Sequence, residues 1–117
     1  MNPEDFKKRT KQFALSVMKL VGEMPKNQTT KVLGNQLLRS GTSVGANYRA
    51  ASRARSSADF IAKMGIVHEE ADESMYWMEL LQEGGILKAQ DLAPILDECN
   101  QIVAMTVASI KTARGRR

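Results

Sequence analysis

Apolar residues recur along this chain at helical spacing almost from end to end. Phe6, Thr10, Phe13, Val17, Leu20 and Met24 follow one another at steps of three and four, which puts them on one face of a helix. Asn2 is placed to cap that helix, Pro3 suits its first position, and Glu4 and Asp5 complement the dipole in its first turn. Pro25 ends it by disfavouring helical geometry at Met24, so the pattern predicts a helix over residues 3–23.

A second run carries two adjacent stripes. Leu33, Leu37, Ser40, Val44, Asn47 and Ala51 form one, with Gly34, Leu38, Gly41, Gly45 and Tyr48 beside it. Glycine inside a helix costs about 1 kcal/mol against alanine, so its three glycines argue for a break. The stripe nevertheless runs straight through them, and small residues let two helices approach closely. The reading is one long helix over 30–55, starting at Thr29 or Thr30, with a tightly packed small-residue face.

Ser56 or Ser57 caps a third helix over 57–83. Its stripe of Phe60, Met64, Val67, Ala71, Ser74, Met78 and Leu81 alternates steps of four and three without a miss. Glu69, Asp72, Glu73, Glu79 and Glu83 fall opposite, as a solvated face, and Gly84-Gly85 closes the helix. Pro94 is tolerated only near a helix start, which places a fourth helix over 91–113 from Gln90 or Asp91. Leu92, Ile95, Leu96, Cys99, Ile102, Val103, Thr106 and Ile110 give its buried face, and the basic tail from Lys111 onward is expected to fray. No stretch alternates with period two. The fold class is all-α, a single domain over 1–117 built as an antiparallel up-down four-helix bundle.

Composition narrows the chemistry. A chain of 117 residues that is 43% hydrophobic holds one core. Its single cysteine, Cys99, cannot form an internal disulfide, and on the apolar stripe it is expected to be an inert buried thiol. His68, the sole histidine, leaves the His-Glu-x-x-His zinc pattern incomplete, since Asp72 stands where the second histidine belongs. No acid lies three residues before His68, as a di-iron bundle requires. Gly41-Thr42-Ser43-Val44-Gly45 lacks the Gly-Lys-Ser/Thr of a phosphate loop. No catalytic residue, metal or cofactor is therefore expected, and the chain reads as a non-enzyme. Nor does the N-terminus carry the apolar core of a secretory signal, and Ile102 to Ile110 is too short to span a membrane. A cytoplasmic setting with no membrane partner follows, which makes the sequon at Asn27-Gln28-Thr29 accidental.

Charge is divided unevenly. Residues 1–60 hold eleven Lys and Arg against four acids, and the remainder six against nine, so the net +4 is the sum of +7 and −3. Lys31, Arg39, Arg49 and Arg53 share an arc of the second helix, Lys7, Lys8, Lys11 and Lys19 lie on the first, and Arg55 follows the second. Cations on neighbouring helices neutralise phosphates and release counterions, which gives salt-sensitive, weakly sequence-specific binding to RNA or DNA. Aromatic platforms are scarce, so backbone contact is favoured over base reading. On the third helix Ile61, Ile66, Met75, Tyr76 and Trp77 lie off the heptad stripe, and such residues suit a contact with another subunit. The competing reading is a protein-interaction scaffold with no nucleic-acid role.

Longer stretches are distinctive. Met24-Pro25-Lys26, then Leu38-Arg39-Ser40-Gly41-Thr42-Ser43-Val44-Gly45-Ala46-Asn47-Tyr48-Arg49, then Ser57-Ala58-Asp59-Phe60-Ile61-Ala62-Lys63-Met64 and Glu69-Glu70-Ala71-Asp72-Glu73-Ser74-Met75-Tyr76-Trp77-Met78 follow in order. This sequence resembles the bacterial four-helix-bundle family encoded in intervening sequences of 23S ribosomal RNA genes. That family includes the accessory variability determinant, Avd, of diversity-generating retroelements. The resemblance implies a non-catalytic bundle assembling as a barrel-like homopentamer. For Avd-like members it implies nucleic-acid binding through basic surfaces and association with a reverse transcriptase. It also implies that the glycines and serines of the second helix are packing positions, with Arg39 near the core boundary facing Glu70.

Overall fold

The computed structural model describes residues 2–116. Four helices make up the fold: α1 (Pro3–Gly22), α2 (Gln28–Ala51), α3 (Ser57–Glu83) and α4 (Ala89–Gly115). No strand occurs among the described residues.

Side-chain caps decide where the first three begin. The Asn2 side-chain oxygen accepts from the Glu4 amide at 2.9 Å, ahead of Pro3 at the first helical position. Asn27 caps α2 through a reciprocal pair, since the Thr30 amide donates to Asn27 Oδ1 at 3.0 Å and the Asn27 amide donates to Thr30 Oγ1 at 3.0 Å. Thr30 also donates to the Pro25 carbonyl, tying the connection down. This box starts α2 earlier than its apolar stripe suggests, and the helix stops at Ala51 rather than at 55. Ser56 caps α3, whose span coincides with the expected one, by accepting from the Asp59 amide at 3.0 Å. Gly84 ends it, and Gly85 turns the chain at φ 75°, a left-handed conformation that favours glycine.

Two expectations for α4 are corrected. It begins at Ala89, with Pro94 several residues inside, and Lys88 provides no side-chain cap. Pro94 has no amide to donate to the Gln90 carbonyl, and both residues are exposed, where a missing backbone bond costs least. Its last turn also lies beyond the expected end at 113. The helix continues to Gly115, with Ala113 buried and the Thr112 hydroxyl donating to the Ala108 carbonyl at 3.0 Å. Arg117 lies outside the described residues.

Helices adjacent in sequence pack together, most extensively α2 with α3, and α1 closes on α4 through the thinnest contact. Among the described residues the backbones of the diagonal pairs do not approach one another, and side chains from all four helices fill one core in a body of 48 × 21 × 20 Å. The predicted stripes supply it: Phe6, Phe13 and Val17 from α1, Leu37 and Val44 from α2, Met64, Val67, Met78 and Leu81 from α3, Leu92 and Ile102 from α4. Buried hydroxyls find partners within this core. Thr10 donates to the Phe6 carbonyl at 3.0 Å, Thr106 to that of Ile102 at 2.7 Å, and Ser40 and Ser74 join α2 to α3 at 2.8 Å.

The α1–α2 seam rests on small residues. Phe6 meets Tyr48 edge to face with ring centroids 4.5 Å apart, Thr10 lies beside Gly45, Val17 covers Gly41, and Val21 covers Gly34. Residue numbers thus rise along α1 as they fall along α2. A Cβ added at Gly41 would lie 3.0 Å from both methyls of Val17, which is fully buried and β-branched. The expectation that these glycines are packing positions is met here.

Candidate nucleic-acid interface

The small-residue seam leaves a trough on the outer surface between α1 and α2. Its volume is about 390 Å³, and Glu4, Lys7, Lys8, Thr10, Lys11 and Ala14 line it from α1, with Thr42, Gly45, Ala46 and Arg49 from α2. Four of the nine expected cations are therefore brought together, with one acid among them. Lys7 is paired with Glu4 at 3.5 Å across exposed side chains, an interaction worth little in water. Lys8, Lys11 and Arg49 have no ion-pair partner among the described residues.

The other five go elsewhere. Lys19 is exposed on α1 away from the trough. Lys31 borders a second hollow of about 630 Å³ at the α1–α2 turn, together with Lys26, which the charge pattern does not single out. Arg53 and Arg55 lie beyond the end of α2, and the Arg55 amide donates to Asp59 Oδ2 at 3.3 Å. Lys63, one turn on, holds that carboxylate at 2.9 Å, and these bonds keep Asp59 below the usual carboxylate range, with the Lys63 bond foremost.

Arg39 is engaged. Its guanidinium bonds the Glu73 carboxylate and stands 3.7 Å from Glu70, which meets the expectation that it faces Glu70. Glu73, expected on the solvated face with Glu69, Asp72, Glu79 and Glu83, is instead half-buried. It lies between Arg39 and the Trp77 indole, which donates to it at 3.3 Å. Glu70 is more enclosed still: its Oε2 has no hydrogen-bond partner, and burial pushes its carboxyl up despite the pull of Arg39.

The five residues expected at a subunit contact do not share one face. Ile66 and Tyr76 are exposed, at 41% and 54%, whereas Met75 and Trp77 pack partly against the core and Ile61 is half-buried. At about 100° per residue, Ile66 and Trp77 fall on the flank with Glu70 and Glu73 that faces α2. Ile61 and Met75 fall on the opposite flank. Leu15 and Met18 on α1, Val32 on α2 and Val107 on α4 are further exposed apolar residues. For α1 the signal is present in the sequence, since Leu15 sits on the wheel opposite Phe6, Phe13 and Val17 and Met18 lies off that stripe.

Elsewhere polar groups hold the frame. Arg9 ties α1 to α4 by donating to Glu98 at 2.6 and 3.0 Å, to Gln101 at 2.8 Å and to the Met105 sulfur at 3.1 Å. The Cys99 thiol is fully buried, donates to the Ala71 carbonyl at 3.2 Å and is pushed up to about 12 by burial, with Asp72 and Glu98 adding to it. A thiol held so far above neutral pH supplies no thiolate nucleophile. Among the described residues no group of three or more His, Cys, Asp or Glu is arranged to hold a metal ion, and no helix is long and apolar enough to cross a membrane.

The fold and its cationic trough define a small helical-bundle protein with one charged seam and one charge-neutralised seam. The family model described as 23S rRNA-intervening sequence protein matches residues 4–108, and the chain belongs to that family. Among solved structures it is similar to the crystal structure of a protein with unknown function from the S23 ribosomal protein family of Bacteroides thetaiotaomicron VPI-5482. The two are 35% identical with a TM-score of 0.88, over 95% of this chain and 99% of that one. No curated protein matches the chain at a significant level.

Proposed function

We propose that this chain is a non-catalytic accessory protein that binds nucleic acid, alone or within a ribonucleoprotein, through the cations of α1 and α2. The observation that carries this reading is the trough lined by Lys7, Lys8, Lys11 and Arg49 with a single acid. Lys19, Lys31, Arg53 and Arg55 extend the positive field on the same half of the chain and steer a polyanion toward it. Arg39 is withdrawn from this role by Glu70 and Glu73. The inert Cys99 thiol and the single imidazole of His68 support a binding role over a catalytic one, and a buried free thiol suits a reducing cytoplasm.

The assembly we propose is an antiparallel up-down bundle that joins copies of itself into a barrel-like homopentamer. Exposed Ile66 and Tyr76 support a subunit contact. In an Avd-like role the further partner is a reverse transcriptase. The second reading is a protein-interaction scaffold without nucleic acid, and the same exposed apolar residues favour it.

One pair of measurements separates the readings. Labelled RNA and DNA are titrated with the protein at several salt concentrations, alongside mass-calibrated size exclusion. Affinity that falls log-linearly with salt supports the nucleic-acid role. An oligomer that binds neither RNA nor DNA leaves the scaffold.

A further inference from the structure

The lining of the trough between α1 and α2 bears on which form of nucleic acid it would take, a question that rests on the reading of this chain as a nucleic-acid binder. Between the cations the trough is lined by small residues, Ala14 from α1 and Gly45 and Ala46 from α2. Here the two helices lie close, because a Cβ added at Gly45 would stand 3.4 Å from the backbone carbon and oxygen of Thr10. Long cationic side chains line it from both helices, Lys7, Lys8 and Lys11 from α1 and Arg49 from α2. Lys11 is one helical turn from both Lys7 and Lys8, about 5–6 Å between Cβ atoms. A ligand seated between the helices therefore meets positive charge from both.

A duplex does not use such a recess. It is stiff, with a persistence length of about 150 base pairs, and its phosphates lie on a convex surface that rests on the rims. Bending it into the trough costs deformation energy that a few lysines do not return. A single strand can turn at each nucleotide, so its phosphates can be shared between the lysines of α1 and Arg49 of α2. No aromatic side chain lines the trough, and the nearby Tyr48 is buried against Phe6. Bases thus find no stacking platform there, and the contact carries no base preference.

We propose that the α1–α2 trough binds the sugar–phosphate backbone of single-stranded nucleic acid, in preference to duplex and without regard to base.

The test uses the full chain with a short labelled homopolymer strand, the same strand annealed to its complement, and inorganic polyphosphate as competitor. The strand should bind at least tenfold more tightly than the duplex, equally well as a uridine or a cytidine polymer, and polyphosphate should displace it. Three cations without ion-pair partners, at −0.7 each for a single strand, give a log–log salt slope of about −2. The Lys11→Glu/Arg49→Glu variant should lose tenfold or more at unchanged melting temperature. The charge-neutral Lys11→Gln/Arg49→Gln variant should show a smaller loss, and Lys111→Glu on α4 none. A duplex bound as tightly as the strand overturns the proposal, as does full affinity in the Lys11 and Arg49 variants. In both cases the chain still binds nucleic acid and the broader reading survives. If only polyphosphate binds, and no strand or duplex does, both readings fall together.

Discussion

Arg39 and Arg49 sit on the same helix and share one arc of its wheel, yet their surroundings make them different residues. Arg39 meets Glu70 and Glu73 across the α2–α3 seam. Arg49 lines the α1–α2 trough together with Lys7, Lys8 and Lys11. The first arginine is a structural tie and the second is a wall of a cationic trough. The difference lies in the neighbouring helix: α3 presents two acids one turn apart, and α1 presents three lysines within two turns. A helix therefore does not set the role of its own charges. Its packing partner does.

The most damaging way to break this contrast is to remove the close approach that forms the trough. Gly41→Leu forces a branched side chain into Val17, whose two methyls would lie only 3.0 Å from the new Cβ. Val17 is fully buried and stiff at its first side-chain torsion, so it has no free well to turn into. Overpacking of this kind costs about 1–3 kcal/mol, read as a lowered melting temperature or denaturation midpoint. An unchanged melting temperature would show that the seam is slack, and the trough floor with it.

Charge reversal sharpens the contrast at smaller cost. Lys8→Glu/Lys11→Glu/Arg49→Glu should weaken single-strand binding tenfold or more, about 1.4 kcal/mol, with the melting temperature held. Arg39→Glu should do the opposite, lowering the melting temperature by placing a third carboxylate beside Glu70 and Glu73 while the folded chain keeps its affinity. Arg39→Ala is milder. The guanidinium side chain is 54% exposed, so solvent screening limits the loss to about 1 kcal/mol or less. Parallel melts and binding titrations read both variants, and equal effects of Arg39 and Arg49 on affinity would erase the distinction.

Much of this is legible in the sequence, for physical reasons that also mark where legibility stops. The stripes from Phe6 to Met24 and from Met64 to Leu81 specify the core because burial enforces periodicity, and the α3 ends follow from Ser56 and Gly84-Gly85. The start of α2 escapes the apolar pattern because Asn27 caps ahead of the first apolar residue, through a local hydrogen-bond pair that hydrophobic periodicity does not register. The end of α4 escapes it because Ala113 packs inside a basic stretch that reads as solvated. Of the cations, Lys7, Lys8, Lys11 and Arg49 meet only because the close approach at Gly45 brings α1 against α2. A one-dimensional charge count records the excess of that half but not its division between two seams. Glu73 departs from its expected place for the same reason, since it lies on the flank of α3 toward α2, where Arg39 reaches across the seam to it and Trp77 covers it from one turn along α3.

The subtlest prediction concerns Glu70, which sits on the neutralised seam and yet is not neutralised well. Its Oε2 lacks a hydrogen bond, and burial raises its pKa more than Arg39 lowers it, with Glu73 and Glu69 adding to the rise. The folded chain then binds this proton more tightly than the unfolded chain does. Stability from that difference is fully present below the ordinary glutamate range and is lost as pH rises through the raised value. Glu70→Gln removes the titration while keeping the shape, so the melting temperature of the variant relative to that of the parent should rise between about pH 4 and pH 7. At neutral pH the variant should be as stable as the parent or slightly more so, by a few tenths of a kcal/mol, because an amide avoids the desolvation that a buried carboxylate suffers. Identical pH slopes in parent and variant would place Glu70 in water and leave Glu73 alone as the partner of Arg39. The α2–α3 seam would then be held at Arg39 by one ion pair instead of two.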